Sequence, residues 1–356
     1  TLSIWLREAG LDRTTVTYFS WAALGFSFKF VWAPLIDRMP LPYLTRKFGR
    51  RRAWMLVSQM MVMGAIFWMA MIDPASSAKN LTFMAYAAVL LGFSAATQDI
   101  VIDAFRIECA EQELQAMLAA TYIAGYRIGM LITGAGSLAL AQYLGTVSGA
   151  YQYHAWQITY FCAGICMLIG LVTTLVVSEP KREGMRDTFE YSAQQYLRFL
   201  LLFLCAASVF AFSFFHGGSL AVSAKQLVND ALSLDGNIVV GFVVEALHLI
   251  CAILLMLAAA LCLVKFKLVD QSMLSDTYID PVREFLTRYK FSLVVVLLCL
   301  VGFYRVSDIV LGVISNVFYL DLGFSKNEIA AVVKTFGLFM TIAGGFLGGL
   351  LPVRCC

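Results

Sequence analysis

Long apolar runs separated by short polar segments dominate the pattern of this chain. Each run is close to the roughly 20 apolar residues that a helix needs to cross the hydrocarbon core of a bilayer. The runs are continuously apolar and lack the alternation of a membrane β-strand. The pattern predicts an all-α integral membrane protein with about nine transmembrane helices, near residues 14–36, 53–72, 81–105, 116–143, 156–178, 197–216, 239–264, 291–318 and 327–351.

Composition and charge placement favour the same class of protein. Hydrophobic residues make up 60% of the chain and charged residues 14%, whereas about a quarter of a typical soluble domain is charged. With the N-terminal stub placed outside, the predicted inside segments carry sixteen Lys and Arg residues and the outside segments five. This asymmetry is the positive-inside pattern, so the basic loops need no nucleic-acid partner.

The order of the runs predicts three regions. They are an N-terminal helical half over 1–180, a central linker with an inserted pair of transmembrane helices over 181–290, and the start of a C-terminal half over 291–356. Residues 1–13 are interpreted as an outside loop that follows a missing first helix. If the architecture is two sixfold repeats, about four C-terminal helices are missing as well.

A charged cluster lies between the first two runs, where an Asp-Arg pair ends one run and Gly-Arg-Arg-Arg precedes the next. This loop resembles the signature between the second and third helices of the major facilitator superfamily. The resemblance implies a cytoplasmic latch, in which the acid meets a helix end or a cation of the opposite half. A basic loop that only sets orientation is the alternative. The latch residues are Asp37, Arg38, Gly49, Arg50, Arg51 and Arg52.

Ionisable residues inside the predicted spans point to function. Each costs about 2.5–3.5 kcal/mol at a helix centre and therefore needs a partner or a water-filled cavity. Several fixed cations around one cavity would attract an anionic solute, although each cation could instead pair with a buried acid. The ionisable residues are Lys29, Asp99, Asp103, Arg127, Glu245, Arg305, Asp308 and Lys334. Lys29, Arg127, Arg305 and Lys334, together with Gln98, are the predicted substrate-anion residues.

Asp99 and Asp103 are four residues apart and share one helical face with Arg106. We expect Arg127 on the next helix to neutralise one carboxylate and the other to take up a proton near neutral pH. A static Asp-Arg lock and simple interfacial solvation are the alternatives. Asp308 lies three residues after Arg305, so the same argument applies to it. The proton-coupling candidates are therefore Asp99, Asp103 and Asp308.

Two further patterns favour structural roles. Glu245 and His248 are one turn apart in the inserted pair, where we expect a structural pairing. Gly125 and Gly129 have the GxxxG spacing that permits close helix approach.

Motifs of enzymatic chemistry are absent from the sequence, including GxxxxGK[ST], HExxH and a cysteine-metal cluster. We therefore predict that the protein is not an enzyme and needs neither cofactor nor metal. Its expected partners are the lipid bilayer, an anionic substrate and protons, with the oligomeric state left open.

Four segments resemble the AmpG muropeptide permease family, which has the major facilitator fold. The Gln-Asp-x-x-x-Asp-Ala run is the most specific of them. The segments are residues 94–106, 125–130, 28–38 and 333–337.

The resemblance implies a multi-pass protein of the bacterial inner membrane that imports anhydro-muropeptides with the proton gradient. Such permeases serve cell-wall recycling and indirectly affect β-lactamase induction. A permease for another anionic metabolite, such as an acyl-coenzyme A, is one alternative. A membrane sensor or scaffold that does not transport is the other.

Overall fold

A computed structural model of the protein describes residues 1–146, 150–180, 191–232, 238–266, 269–289, 291–304 and 336–355. Within these ranges, six helices are long and apolar enough to cross a bilayer. They confirm an all-helical, multi-pass membrane protein, and they match six of the nine predicted spans. The six are Arg50–Ala70, Ala78–Cys109, Gln115–Tyr143, Tyr153–Val176, Gln194–Asn229 and Val239–Lys265.

The predicted total of about nine helices, with helices missing at both ends, is not confirmed. The run 14–36 is divided by a 3₁₀ turn, and the helix after the turn has 15 residues, fewer than the roughly 20 that a perpendicular span needs. The runs 291–318 and 327–351 lie partly outside the described residues, which show helices over Phe291–Tyr304 and Gly337–Cys355.

By packing, the chain divides into two units, Thr1–Arg186 with Val296–Cys356, and Asp187–Val295. The helices are numbered in chain order. Up to residue 176 they are α1 (Leu2–Glu8), α2 (Arg13–Ser20), α3 (Leu24–Arg38), α4 (Leu44–Phe48), α5 (Arg50–Ala70), α6 (Ala78–Cys109), α7 (Gln115–Met130), α8 (Ser137–Tyr143) and α9 (Tyr153–Val176). The later ones are α10 (Ala193–Leu232), α11 (Ile238–Lys265), α12 (Gln271–Leu274), α13 (Asp280–Arg288), α14 (Phe291–Tyr304) and α15 (Gly337–Cys355).

In the first unit, α5 packs between α6 and α9, α3 packs on α6, and α15 packs on α7. A π-helical segment, Leu131–Gly136, joins α7 to α8, so the two form one long span. Helix α6 begins at Ser77, whose hydroxyl accepts a hydrogen bond from the Asn80 backbone N–H at 3.2 Å. Such a cap satisfies one of the unpaired N–H groups at a helix start.

Residues 1–13, predicted as a loop, contain helix α1, in which Trp5 and Leu6 are fully buried. Trp5 stacks on Trp156 at 5.7 Å between ring centroids and donates to the Tyr151 hydroxyl at 3.2 Å. Burial raises the pKa of the Tyr151 phenol. Tyr151 therefore remains a donor to Asp73, whose carboxylate lies 2.8 Å away. Helix α1 therefore packs on the start of α9 and on the residues just before it.

Glycines allow the start of α3 and the 3₁₀ turn before it to pack closely on α6. A Cβ added at Gly92 would lie 2.1 Å from the backbone oxygen of Ala22, and one at Gly25 would lie 3.2 Å from the backbone oxygen of Gly92. Small residues of this kind let membrane helices approach closely. The crossing sets the distance between Lys29 on α3 and Asp99 on α6.

The second unit contains the predicted inserted pair, α10 and α11. The run predicted to end at residue 216 continues as helix to Leu232, because Gly217 makes room for packing instead of breaking the helix. A Cβ there would meet His248 Nε2 at 2.8 Å, and the His248 ring stacks on Phe214 at 4.8 Å. His248 Nδ1 also lies 4.0 Å from Glu245.

We predict that Gly92→Ala destabilises the protein by about 1–3 kcal/mol, as overpacking of a close contact does. The added methyl group would meet backbone, which cannot rotate away. Gly64→Ala is the matched control, because a Cβ at Gly64 meets no described atom within 4 Å. Thermal unfolding in detergent measures both variants, and equal stability of the two would contradict the helix contact.

Candidate functional site

Lys29 of α3 meets Asp99 and Asp103 of α6 in one charged cluster. Lys29 Nζ lies 2.5 Å from Asp99 Oδ2 and 3.5 Å from Asp103 Oδ2. The i,i+4 spacing places both carboxylates on the side of α6 that faces α3. One ammonium group therefore lies between two acids, where it offsets their mutual repulsion.

Two further side chains complete this cluster. The Tyr122 hydroxyl on α7 donates to Asp99 Oδ1 at 2.7 Å, so both oxygens of Asp99 have partners. Arg106 lies 3.6 Å from Asp103 Oδ1, and its guanidinium lies 5.5 Å from the centre of the Tyr122 ring. Asp103 thus has two cationic neighbours. Sequence reasoning missed Tyr122 because a tyrosine in an apolar helix is most often a packing residue.

A cavity of about 430 Å³ adjoins Asp99. Gln98 and Asp99 are the predicted site residues that line it, and Asp103 is not among its lining residues. The remaining lining side chains are mostly aromatic or small, a composition typical of ligand pockets that contain a few convergent polar groups. They belong to Phe26, Ala95, Ile102, Thr121, Tyr122, Gly125 and Tyr126.

Arg127 was the predicted partner of the acid pair, and the structure gives that role to Lys29. Among the described residues, Arg127 makes no hydrogen bond or ion pair with Asp99 or Asp103, and its Nε is buried without a hydrogen-bond partner. The predicted packing role of Gly125 and Gly129 is not confirmed among the described residues, where a Cβ at either meets nothing within 4 Å.

A second charged cluster lies at the predicted cytoplasmic end of the same unit, where latch residues meet. Arg51 forms ion pairs with Asp37 and with Glu108, the latter through its Nε and a terminal nitrogen. The Arg51 side chain is 4% exposed. Arg50 donates to the backbone oxygen of Asp37 at 2.7 Å. The cation that meets Asp37 thus comes from the same half of the protein.

Glu179 closes this cluster from the end of α9. Its two carboxylate oxygens accept the backbone N–H groups of Arg51 and Arg52 at 2.7 and 3.0 Å. A carboxylate there both caps the start of α5 and complements the helix dipole. Gly49 has a φ of 88°, and a Cβ there would lie 2.3 Å from Glu179 Cδ.

Arg52 extends the cluster to the last turn of α9. It donates to the backbone oxygens of Thr174 and Leu175 at 2.9 and 2.6 Å, which are unpaired acceptors at a helix end. Arg38 lies in the last turn of α3.

Sequence reasoning missed Glu108 and Glu179. Both are far from Arg51 along the chain, and the sequence alone does not show that they are close to it in space. Arg305, Asp308 and Lys334 lie outside the described residues.

Comparison with known proteins gives the family. The profile of the Major Facilitator Superfamily matches residues 2–354, nearly the whole chain. The chain belongs to this superfamily. As a member of a superfamily of transporters, it is expected to act without enzymatic chemistry. No solved structure matches the chain.

Individual relatives are named as transporters. The chain is 28% identical to "Putative transporter AmpG 4" of Rickettsia conorii over 354 residues, which cover 99% of this chain and 63% of the relative. It is 34% identical to "Anhydromuropeptide permease" of Escherichia coli K12 over 180 residues, which cover 51% of this chain and 33% of the relative. The chain thus spans a little under two thirds of the length of the Rickettsia relative.

We predict that Arg51→Ala lowers the free energy of unfolding by about 3–5 kcal/mol, because it leaves two carboxylates without their buried cation. Arg288→Ala is the control. Arg288 forms a surface pair with Glu284 and is 66% exposed, so its loss should cost no more than about 0.5 kcal/mol. Unfolding in detergent measures both. A similarly small effect of the two variants would show that the buried cluster does not stabilise this end.

Removal of the Glu179 cap gives a second test of this cluster. We expect Glu179→Ala to cost about 1–2 kcal/mol, as loss of a helix cap does. Glu284→Ala serves as control, since that acid is 69% exposed and makes one surface pair. Hydrogen exchange of the first turn of α5 reports the local effect. Unchanged exchange in Glu179→Ala would contradict the capping role.

Proposed function

We propose that the protein is a proton-coupled secondary transporter that imports anhydro-muropeptides, the disaccharide-peptide fragments of peptidoglycan, from periplasm to cytoplasm. It would lie in the inner membrane of a bacterium, serve cell-wall recycling and indirectly affect β-lactamase induction. The superfamily match and the printed name of the Rickettsia relative support transport, and the printed name of the Escherichia relative supports the substrate.

The observation that carries the proposal is the Lys29–Asp99 pair beside the cavity. Protonation of Asp99 would remove the charge that holds Lys29, and the freed ammonium could then bind a carboxylate of the substrate. Return of the ammonium to Asp99 would expel the proton and weaken substrate binding. Because the Lys29 ammonium pairs with Asp99 and with the substrate carboxylate in turn, proton movement and substrate movement are coupled.

Asp103 has a supporting role in this scheme. It lies 3.5 Å from Lys29 and 3.6 Å from Arg106, so it keeps a cationic neighbour when Lys29 moves. Its negative charge would hold the displaced ammonium near the cavity instead of releasing it toward lipid. We therefore assign proton exchange to Asp99 first.

The cavity lining suits a sugar-containing substrate. Phe26, Tyr122 and Tyr126 offer aromatic faces, and Gln98 offers an amide donor and acceptor. Apolar ring faces combined with a few polar groups match the alternation of C–H and hydroxyl surface on a saccharide. The carboxylates of the peptide stem would be the groups that reach Lys29. Arg127, Arg305 and Lys334 are further candidates for that contact.

The cytoplasmic cluster supports alternating access. Asp37, Arg51, Glu108 and Glu179 join the ends of α3, α5, α6 and α9. Several charge-assisted contacts at one end would make these helices move as a rigid body during transport. Substrate access would then change by movement of this body rather than by bending of single helices.

We predict that Asp99→Asn abolishes proton-driven accumulation of labelled anhydro-muropeptide but retains its exchange across the membrane. The amide cannot carry a proton, yet it leaves Lys29 available to the substrate anion. Cells or right-side-out vesicles without another permease, with and without a collapsed proton gradient, separate the two activities. Accumulation at the original level with the original proton dependence would contradict the role of Asp99.

Asp12→Asn is the control for this experiment. The Asp12 carboxylate accepts hydrogen bonds from the backbone N–H and hydroxyl of Thr15 at the start of α2, and it is not among the residues of the Lys29 cluster. This variant should leave both activities unchanged. The choice of labelled substrate distinguishes the alternative functions. Uptake of a labelled acyl-coenzyme A, together with no uptake of labelled muropeptide, would indicate a different anion permease. Binding of muropeptide without uptake would indicate a sensor.

A further inference from the structure

Helix α13 has one apolar side that the described part of the chain leaves uncovered. Val282, Phe285 and Leu286 lie on one side of the helix at the spacing of an amphipathic stripe, with exposed fractions of 58%, 39% and 45%. The ring of Tyr289, just after the helix, lies 5.6 Å from that of Phe285. The opposite side carries Asp280, Arg283, Glu284, Thr287 and Arg288.

The segment that precedes α13 is fixed to the start of a membrane span. The Tyr191 hydroxyl donates to Asp276 at 2.8 Å, and the rings of Phe199 and Tyr278 lie 6.2 Å apart. Phe199 belongs to the first turns of α10, where its apolar run begins. Because α13 begins two residues after Tyr278, it begins beside the depth at which α10 enters the hydrocarbon core.

The amphipathic pattern of α13 sets its orientation in a bilayer. The helix has nine residues, fewer than half of those needed for a span. Its apolar residues all lie on one side and its polar residues on the other. Such a helix buries the first side and keeps the second in water only when its axis lies close to the membrane plane.

We infer that α13 is an interfacial helix that binds the cytoplasmic leaflet of the bilayer. Val282, Phe285 and Leu286 lie in the boundary between headgroups and acyl chains, and the polar side faces water. The positive-inside pattern places this segment on the cytoplasmic side. The contact fixes the depth of the linker between α11 and α14.

The chemistry of the partner follows from the charges on the polar side. Asp280 and Glu284 balance Arg283 and Arg288, and Arg288 lies 3.0 Å from Glu284. Attraction to anionic lipid grows with net positive charge near the surface, and here the charges cancel. Binding therefore depends on the apolar side, and it should occur in zwitterionic as well as anionic bilayers.

Tryptophan quenching by brominated lipid tests this contact in the full protein reconstituted into nanodiscs. Phe285→Trp places an indole on the apolar side, and Thr287→Trp places one on the polar side as the matched control. The emission of the native tryptophans is measured in the parent protein and subtracted. We expect loss of the added emission at position 285 in nanodiscs of brominated phosphatidylcholine, and persistence of the added emission at position 287.

Equal quenching at the two positions would overturn the inference, as would the absence of quenching at position 285. Emission at 285 that resists brominated lipid but changes when two copies share a nanodisc would assign the face to a second copy, and would also overturn it. If Phe285→Trp does not fold, Val282→Trp replaces it with the same expectation. Quenching that needs anionic lipid would refute the apolar mode of binding.

Discussion

An ammonium group held between two carboxylates inside a membrane protein constrains the first unit more than any other interaction. Charges in an apolar layer are tolerated when they are paired or reach water, so α3 must bring Lys29 to α6. That approach requires Gly25 and Gly92, whose bare backbones allow the two helices to touch. The 3₁₀ turn over Trp21–Ala23 lies at this contact. The irregular start of α3 thus lies about two helical turns before the charge that it helps to position.

The two charged clusters of this unit differ in how they use their partners. In the cytoplasmic cluster, Arg51 has two acids, and Glu179 binds backbone N–H groups that do not move independently of α5. In the central cluster, Asp99 has a flexible lysine and a tyrosine hydroxyl as partners. Loss of one contact in the first cluster leaves a buried charge. In the second cluster, the proposed function has a proton replace the ammonium at Asp99. The first arrangement favours rigidity and the second favours exchange.

The spans could be predicted because a membrane helix is encoded locally, by about 20 apolar residues. The ionic partners could not be predicted, because they depend on which faces of which helices meet in the folded chain. Arg127 was expected to pair with the acids of α6 from proximity in sequence, yet Lys29, 70 residues before Asp99, occupies that place. Glu108 and Glu179 were missed as partners of the latch for the same reason. The span predicted near 197–216 extends further, because Gly217 leaves space for a histidine of the neighbouring helix.

Under the proposed function, accessibility favours the Lys29–Asp99 pair over the Arg51 cluster as the place of proton exchange. A group that couples to a gradient must reach water and must find its two protonation states close in free energy. Asp99 is 23% exposed and lines the cavity, whereas Glu108 is 11% exposed and holds Arg51 through several hydrogen bonds. Protonation of Glu108 would remove one of the partners of a nearly buried guanidinium, which is costly. Protonation of Asp99 leaves Lys29 beside Asp103, so the charge of the cluster changes by one without leaving the ammonium unpaired.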